Sequence, residues 1–265
     1  MSAAGNFARV FFGGGLYSFR ALFGWIEPVV FVPMLLVSPL FQLLFFAFMG
    51  RAAHVRDDTF FVTGNALEII ALGTLFGMGF SMDGERWLQT LPALVASPAN
   101  RAALFLGRGL PVILNAIVVS IWALSMGWLL LDVHIARSAL APLLVTMLVG
   151  AFSSTACGLV LGTVSLRYRN VIVTANLVSA SMLIFCGVNI PRASLPHWMQ
   201  VTGDLLPLTR TIAAGRELAA GSSLGHVAGL LGGELLVGLC YGAAGYALLV
   251  WFERQSRRHA ALEIS

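Results

Sequence analysis

Two glutamates lie inside long apolar stretches of the sequence, where a carboxylate has little access to water. Glu68 and Glu234 each interrupt an apolar stretch of more than twenty residues. Placing a carboxylate in hydrocarbon costs at least about 2.5 kcal/mol, so such a group usually faces the interior of the protein. It can then contact a cationic or polar substrate or a coupling proton in a translocation path, or form a buried ion pair with Arg210 or Arg216.

The other residue types that carry out catalysis or bind metals show no recognisable pattern. The three cysteines have no CxxC spacing, and the five histidines are scattered without an HxxxH or HxH pattern. We therefore predict no catalytic residues and no metal site. All sixteen basic residues are arginine. Without lysine the chain alone cannot build a P-loop or a Schiff base, so ATP-driven work requires another subunit.

The elements that position these residues are predicted to be membrane-spanning helices. The sequence is 58% hydrophobic and 11% charged, whereas an ordinary soluble domain is about 25% charged. A bilayer core of about 30 Å takes about 20 helical residues. Six apolar stretches reach this length, namely 29–49, 60–82, 102–131, 138–166, 170–191 and 226–252. None of them alternates like a barrel strand, so we predict an all-α integral membrane protein forming a single domain over 1–265.

The distribution of arginines sets the predicted orientation of these spans. An even number of spans places both termini on one side of the membrane. With the N-terminus inside, ten arginines lie in the cytoplasm and six lie outside. This bias favours cytoplasmic N- and C-termini.

Two further segments are predicted to lie along or partly within the membrane. Residues 5–27 resemble a helix in the headgroup layer, because Arg9 and Arg20 share one helical face and apolar residues share the other. The segment 191–225 is too apolar for a solvated loop and is punctuated by proline and glycine. We interpret it as short external helices that enter the outer leaflet and return.

Segment 83–101, between the second and third spans, is the longest predicted cytoplasmic loop and suits a short amphipathic helix. Here the sequence resembles the permeases of ABC-2 type exporters, whose inner loop reads Glu-Arg, then Gly-Thr-Leu-Glu, then Ser-Pro or Thr-Pro followed by a basic residue. The matching residues are Glu85, Arg86, Thr90, Leu91, Ser97, Pro98 and Arg101. Gln89 and Pro92 depart from that pattern.

The segment 191–225 carries a second resemblance to the same family. Its members show an apolar-Pro-apolar-Thr sequence followed by an arginine, and they have a Pro-rich entry to this region. The positions that match, with the neighbouring Arg210 included in the predicted gate, are Pro191, Pro196, Trp198, Pro207, Thr209, Arg210 and Arg216. The order and spacing of both motifs resemble the permeases of type V ABC exporters along nearly the whole chain.

This resemblance implies a dimer of permeases, identical or paired with a sister chain, each docked to a cytoplasmic ABC ATPase. The segment 83–101 would be the coupling element, with Asp83 and Trp87 beside its motif residues, and 191–225 would be an external gate. The ATP and Mg²⁺ would lie on the ATPase, with no cofactor on this chain. Membrane lipids are expected contacts, and nucleic acid is not.

The function implied is a multidrug-type exporter in a bacterial cytoplasmic membrane. It would move an amphiphilic substrate, a drug-like natural product or a lipid, by alternating access. Export of a polysaccharide or a lipid-linked glycan is an alternative. An intramembrane lipid-modifying enzyme is a further one, although the spans offer two separated glutamates without a histidine partner.

Overall fold

The computed structural model describes residues 9, 11–15, 17, 32–54, 57–87, 101–168 and 171–262. All regular structure in these ranges is helical, which confirms the predicted class for them. A π-helical turn at Val32–Val37 precedes the α-helices, and a 3₁₀ turn lies at Arg192–Ser194. The α-helices are α1 (Ser38–Ala53), α2 (Asp58–Trp87), α3 (Arg101–Leu131), α4 (Arg137–Tyr168), α5 (Val171–Phe185), α6 (His197–Leu205), α7 (Thr209–Ala219) and α8 (Leu224–Leu262).

Five of these helices, within the described ranges, are long and apolar enough to cross a membrane. Their candidate spans are Leu35–Ala53, Asp58–Ser81, Gly107–Leu131, Arg137–Val164 and Leu224–Phe252. The fifth predicted span, 170–191, contains only the shorter apolar helix α5 of 15 residues, which is about 22 Å long. The helix ends there because Gly187 takes a left-handed φ of 76° and Pro191 follows. The six-span topology therefore stays a prediction.

Helix α2 lies at the centre of the bundle and is the most buried of the candidate spans, whereas α8 is the least buried. Helix α2 packs against α1, α3, α4, α5 and α7. Small residues allow the close approach: a side chain at Gly77 would collide with Val112 of α3, and one at Gly158 of α4 would press on Met78. These glycines therefore serve packing within the chain.

The short helices gather at one end of the bundle, which we call the short-helix end. Among the described residues it comprises His54 and Asp57, the turn at 132–136 and the segment 186–223. Helix α7 packs there against α2, α4 and α8, and α6 packs against α5 and α7. The segment predicted to be re-entrant thus consists of helices seated on the ends of the long ones. Whether they enter a leaflet stays a prediction, because the structure contains no membrane.

The predicted interfacial helix 5–27 lies largely outside the described residues. Residues 11–15 are helical. They lie against the start of α3, where a side chain at Gly107 would collide with the carbonyl oxygen of Phe11. The described part of this segment is therefore in contact with the bundle.

Candidate functional site

Glu68 lies where three helices meet, ten positions after the first residue of α2. The residue is 1% exposed. Gln42 of α1 donates through Nε2 to Glu68 Oε2 at 2.9 Å, and Ser179 of α5 donates through its hydroxyl to Oε1 at 3.5 Å. The carboxylate thus joins α1 and α5 to the central helix through neutral side-chain donors.

Asn65 lies about one helical turn before Glu68 on α2 and pairs with Asn189, which lies beyond the end of α5. Asn65 donates through Nδ2 to Asn189 Oδ1 at 2.7 Å and to the Phe61 carbonyl oxygen at 2.9 Å. Asn65 Oδ1 and Asn189 Nδ2 are buried and have no partner among the described residues. The polar surface around Glu68 therefore retains one unused acceptor and one unused donor, which suits water or a polar ligand group.

Glu234 is fully buried and lies ten positions after the first residue of α8. Its Oε1 accepts from the Ser153 hydroxyl of α4 at 2.6 Å and from the Leu208 amide at 2.7 Å. Its Oε2 accepts from the Arg210 amide at 3.2 Å. These amides are free donors at the N-terminus of α7, where the helix dipole also favours a negative charge. Glu234 therefore caps α7 from a neighbouring helix.

The arginines expected to pair with these carboxylates bind carbonyl oxygens instead. Arg210 donates through a terminal nitrogen to the Asp204 carbonyl oxygen at 2.9 Å. Within the described ranges the donors to Glu68 and Glu234 are neutral groups. The buried ion pair is therefore not the arrangement found there. At Glu234 the main-chain amides of Leu208 and Arg210 are the donors, in place of the Arg210 guanidinium group.

Arg216 links the far part of α7 to two other elements of the short-helix end. It donates to the carbonyl oxygens of Gly187 at 2.8 Å and Val188 at 2.6 Å, just beyond α5. It also donates to the Phe60 carbonyl oxygen of α2 and stacks on the Phe60 ring with 3.4 Å to the centroid. Gly64 leaves the room for this, since a side chain there would collide with Arg216 and Val188.

A sequence comparison assigns this bundle to a family. Residues 25–219, well over half of the chain, match the family described as ABC-2 type transporter. The chain belongs to the ABC-2 type transporter family. It is the membrane-spanning permease domain of an ABC transporter, and it carries several membrane-crossing helices. No curated protein matches its sequence. Glu68 and Arg216 lie inside the matched range of the permease, and Glu234 lies beyond it.

The predicted gate residues of the permease fall into two groups. Pro207, Thr209, Arg210 and Arg216 lie at the two ends of the contact between α7 and the bundle. Pro191, Pro196 and Trp198 lie apart from it, at the start of α6 and before it. The Trp198 side chain is 60% exposed and packs edge-on against Phe185. The first group therefore lies at the two places where α7 is held, namely beside Glu234 at its N-terminus and at Arg216.

The predicted coupling residues fall in three places. The last turns of α2 contain Asp83, Glu85, Arg86 and Trp87. The first residue of α3 is Arg101. Outside the described residues lie Thr90, Leu91, Ser97 and Pro98. The helix of the second span continues to Trp87 instead of ending at residue 82, so the coupling segment begins as a direct extension of the central helix.

Several residues that complete these sites carry no sequence signal of their own. Gln42 and Ser179 are polar residues with apolar neighbours on both sides, and Ser153 begins the polar run Ser153-Ser154-Thr155; most such side chains only bond their own helix. Leu208 takes a left-handed backbone conformation, with φ 84° and ψ −24°. A leucine in the sequence does not predict this conformation, because it is rare for residues other than glycine. Only Gln42, as an amide in a predicted span, is unusual enough to be suspected.

Proposed function

We propose that this permease is the membrane half of an ATP-driven exporter that moves an amphiphilic drug-like compound or lipid across a bacterial cytoplasmic membrane. Separate ATPase subunits bind ATP and Mg²⁺, because a P-loop needs a lysine and this chain has none. The observation that carries the proposal is the polar group around Glu68. It lies between α1 and α5, two helices with largely exposed apolar faces.

The faces beside Glu68 suit a substrate with an apolar body and a polar or cationic group. Helix α1 exposes Phe41, Phe45 and Phe48. Helix α5 exposes Leu177 together with Asn176, whose Nδ2 donates to the Ile172 carbonyl oxygen of the same helix at 2.8 Å. An amide facing lipid is unfavourable, so this face is better accommodated against a second permease subunit or along a polar path. The substrate path therefore runs beside α1, α2 and α5, between two permeases that alternate in access.

The proposed topology has six crossings with both termini in the cytoplasm. Helix α5 and the residues that follow it, up to 191, make the fifth crossing. The short-helix end then lies outside and the segment 83–101 inside, as the arginine distribution favours. In this orientation α6 and α7 cover the outer end of the path.

Coupling is assigned to the segment 83–101. Because α2 runs without a break from its first residue Asp58 to Trp87, a push on its inner end moves the whole central helix, Glu68 included. Closure of two ATPase subunits against this segment would tilt α2 as a rigid body. The charges of Asp83, Glu85 and Arg86 provide the polar contacts for that docking.

The test is ATP turnover by the permease in lipid nanodiscs, alone and with its ATPase subunit. We expect turnover only with the partner, and we expect the double change Glu85→Ala and Arg86→Ala to abolish its coupling to transport. The control changes the exposed ion pair of Arg51 and Asp58 to alanine at the short-helix end. Failure to bind any ATPase, or intact coupling in the double variant, would contradict the proposal.

A further inference from the structure

Helix α7 is fixed to the bundle at two points that belong to different helices. Near its C-terminal end, Arg216 binds the carbonyl oxygen of Phe60 in α2 and those that follow α5. At its N-terminus, Glu234 of α8 accepts from the Leu208 and Arg210 amides. Any movement of α8 relative to α2 must therefore be absorbed at one of these two anchors.

The anchor at Glu234 contains a strained backbone residue. Leu208 is fully buried and has a positive φ of 84°. A non-glycine residue adopts such a conformation only where its surroundings enforce it, and such residues concentrate at functional or switching positions. Here the carboxylate of Glu234 binds the Leu208 amide directly, and Ser153 of α4 donates to the same oxygen.

Helix α8 is also the span best able to shift. It is the least buried candidate span. It packs extensively against α4 and also against α7. Its contact with α4 is close at Gly238, where a side chain would collide with Phe152 and Ser153, and at Gly245, where one would press on Leu159. A helix whose remaining faces are exposed can tilt against its neighbours as a rigid body.

We propose that Glu234 is a positioning residue that latches a strained hinge, Pro207–Leu208–Thr209, so that movement of α8 against α4 sets the position of α7. While α8 and α4 are together, the carboxylate holds the hinge and α7 covers the short-helix end. When α8 shifts, the hinge amides lose their acceptor and α7 swings about the Arg216 anchor. The latch needs only the contacts described, whereas its opening by nucleotide rests on the proposed function.

The chain supplies its own reporter of this hinge. The thiol of Cys186 is 1% exposed and donates to the Pro207 carbonyl oxygen at 3.5 Å. Release of the hinge uncovers this thiol. With Cys157 and Cys240 changed to alanine, Cys186 is the single cysteine, since the sequence has three. An uncharged, membrane-impermeant polyethylene-glycol maleimide then measures how often the hinge opens.

The first arm compares labelling rates of the single-cysteine permease in nanodiscs without an ATPase. Glu234→Ala leaves the Leu208 and Arg210 amides without their acceptor and leaves the Ser153 hydroxyl with only the Gly150 carbonyl oxygen, so we expect labelling about ten to a hundredfold faster. We expect about threefold for Ser153→Ala, which removes one of those donors. Ser154→Ala is the matched control, because the Ser154 hydroxyl is buried without a partner among the described residues. Unchanged labelling in a folded Glu234→Ala variant would overturn the latch.

Glu68→Ala is a second control, because it removes an equally buried carboxylate that does not touch the hinge. Acceleration by this variant equal to that of Glu234→Ala would mean that loss of any buried carboxylate loosens the bundle, which also overturns the latch. If Glu234→Ala does not fold, Glu234→Gln replaces it. The glutamine keeps one acceptor oxygen and so gives an intermediate rate if the latch is correct, and the Ser154→Ala rate if it is not.

The second arm adds the ATPase subunit to the permease with Glu234 intact. We expect trapping with ATP and vanadate to change Cys186 labelling at least about threefold, and we expect no such change in the Glu234→Ala variant. If Glu234 only caps α7 and α7 does not move, Cys186 will be labelled at the same rate in every nucleotide state. That result would overturn the proposed movement of α7. If Glu234→Ala is labelled fast in the first arm but the permease binds no ATPase, the proposed function is wrong. The latch is then still supported, because the first arm does not depend on an ATPase.

Discussion

Glu68 and Glu234 occupy matching positions in the bundle and differ in what holds them. Each follows the first residue of its helix by ten positions, and each is at most 1% exposed. Side chains of Gln42 and Ser179 hold Glu68. Main-chain amides at the start of α7, with one hydroxyl, hold Glu234.

This difference assigns the two carboxylates to different tasks. A side-chain amide or hydroxyl can rotate to a new partner while the backbone stays in place, so the donors of Glu68 can give way to a ligand. The amides at a helix N-terminus point along the helix axis, so they can leave Glu234 only if the helix moves. Glu68 therefore suits substrate contact, and Glu234 suits the positioning of α7.

The largest expected effect is on stability. Glu234→Ala should lower the free energy of unfolding by about 3 kcal/mol or more, because it leaves several buried donors unsatisfied. Glu68→Ala should cost about 1 kcal/mol, because Gln42 and Ser179 can find other partners. Unfolding titrations with SDS in mixed micelles, followed by tryptophan fluorescence, measure both variants.

Glu234→Gln provides the control for this first prediction, since it keeps the shape of the side chain and one acceptor oxygen. Its loss should be about half that of the alanine variant. Equal destabilisation by the two alanine variants would show that the type of donor does not matter, and the distinction between the carboxylates would then fail.

A somewhat smaller effect is expected at the other anchor of α7. Arg216→Lys should lower the free energy of unfolding by about 2 kcal/mol, since a lysine cannot reach three carbonyl oxygens and stack on Phe60 at the same time. The same titration checks it. Arg51→Lys is the matched control, because Arg51 forms an ion pair with Asp58 at the surface and its change should leave the free energy of unfolding almost unchanged. A similarly small decrease in the free energy of unfolding in both variants would show that Arg216 does not anchor α7.

The sequence predicted the long helices well because hydrophobic length is a direct requirement of the bilayer. Five of six predicted spans reappear as candidate spans. The remaining predicted span, the fifth along the chain, contains only the shorter helix α5, because the chain turns at Gly187. A single glycine in an apolar run does not reveal whether its φ will be positive. Helix α2 also runs past its predicted end at residue 82 to Trp87, although the Asp83-Gly84 pair there is a common turn signal.

The burial of Glu68 and Glu234 was predictable from their apolar surroundings, and their partners were not. An ion pair with arginine was the natural expectation for a buried carboxylate. The actual donors of Glu234 are main-chain amides, which every residue except proline carries, and a serine that resembles its neighbour Ser154. Such partners depend on how α4, α7 and α8 pack, and that packing is a tertiary property.

Glu68 should also differ from Glu234 in its effect on transport. Glu68→Gln should raise the concentration of a fluorescent quaternary-ammonium amphiphile that half-stimulates ATP turnover by about tenfold, because the charge that attracts the cation is lost. Stimulation by a neutral amphiphile of similar size should stay unchanged. Turnover by the complex in nanodiscs measures both. Equal losses for the cationic and neutral compounds would make Glu68 a structural residue like its counterpart.

The smallest expected effect tests whether Ser153 and Glu234 act as one unit. Their oxygens are 2.6 Å apart, and the hydroxyl is the only side-chain donor to that carboxylate among the described residues. Ser153→Ala and Glu234→Gln, alone and combined, should therefore show a coupling of about 1 kcal/mol in unfolding titrations, since a hydrogen bond to a charged group contributes roughly that much beyond its single losses. The cycle with Ser154→Ala in place of Ser153→Ala should be additive, because the Ser154 hydroxyl has no partner among the described residues, whereas Ser153 donates to Glu234 and to the Gly150 carbonyl oxygen. Coupling of the same size in both cycles would mean that α4 responds as a whole to any loss at Glu234, and the specific link from α4 to the start of α7 would be lost.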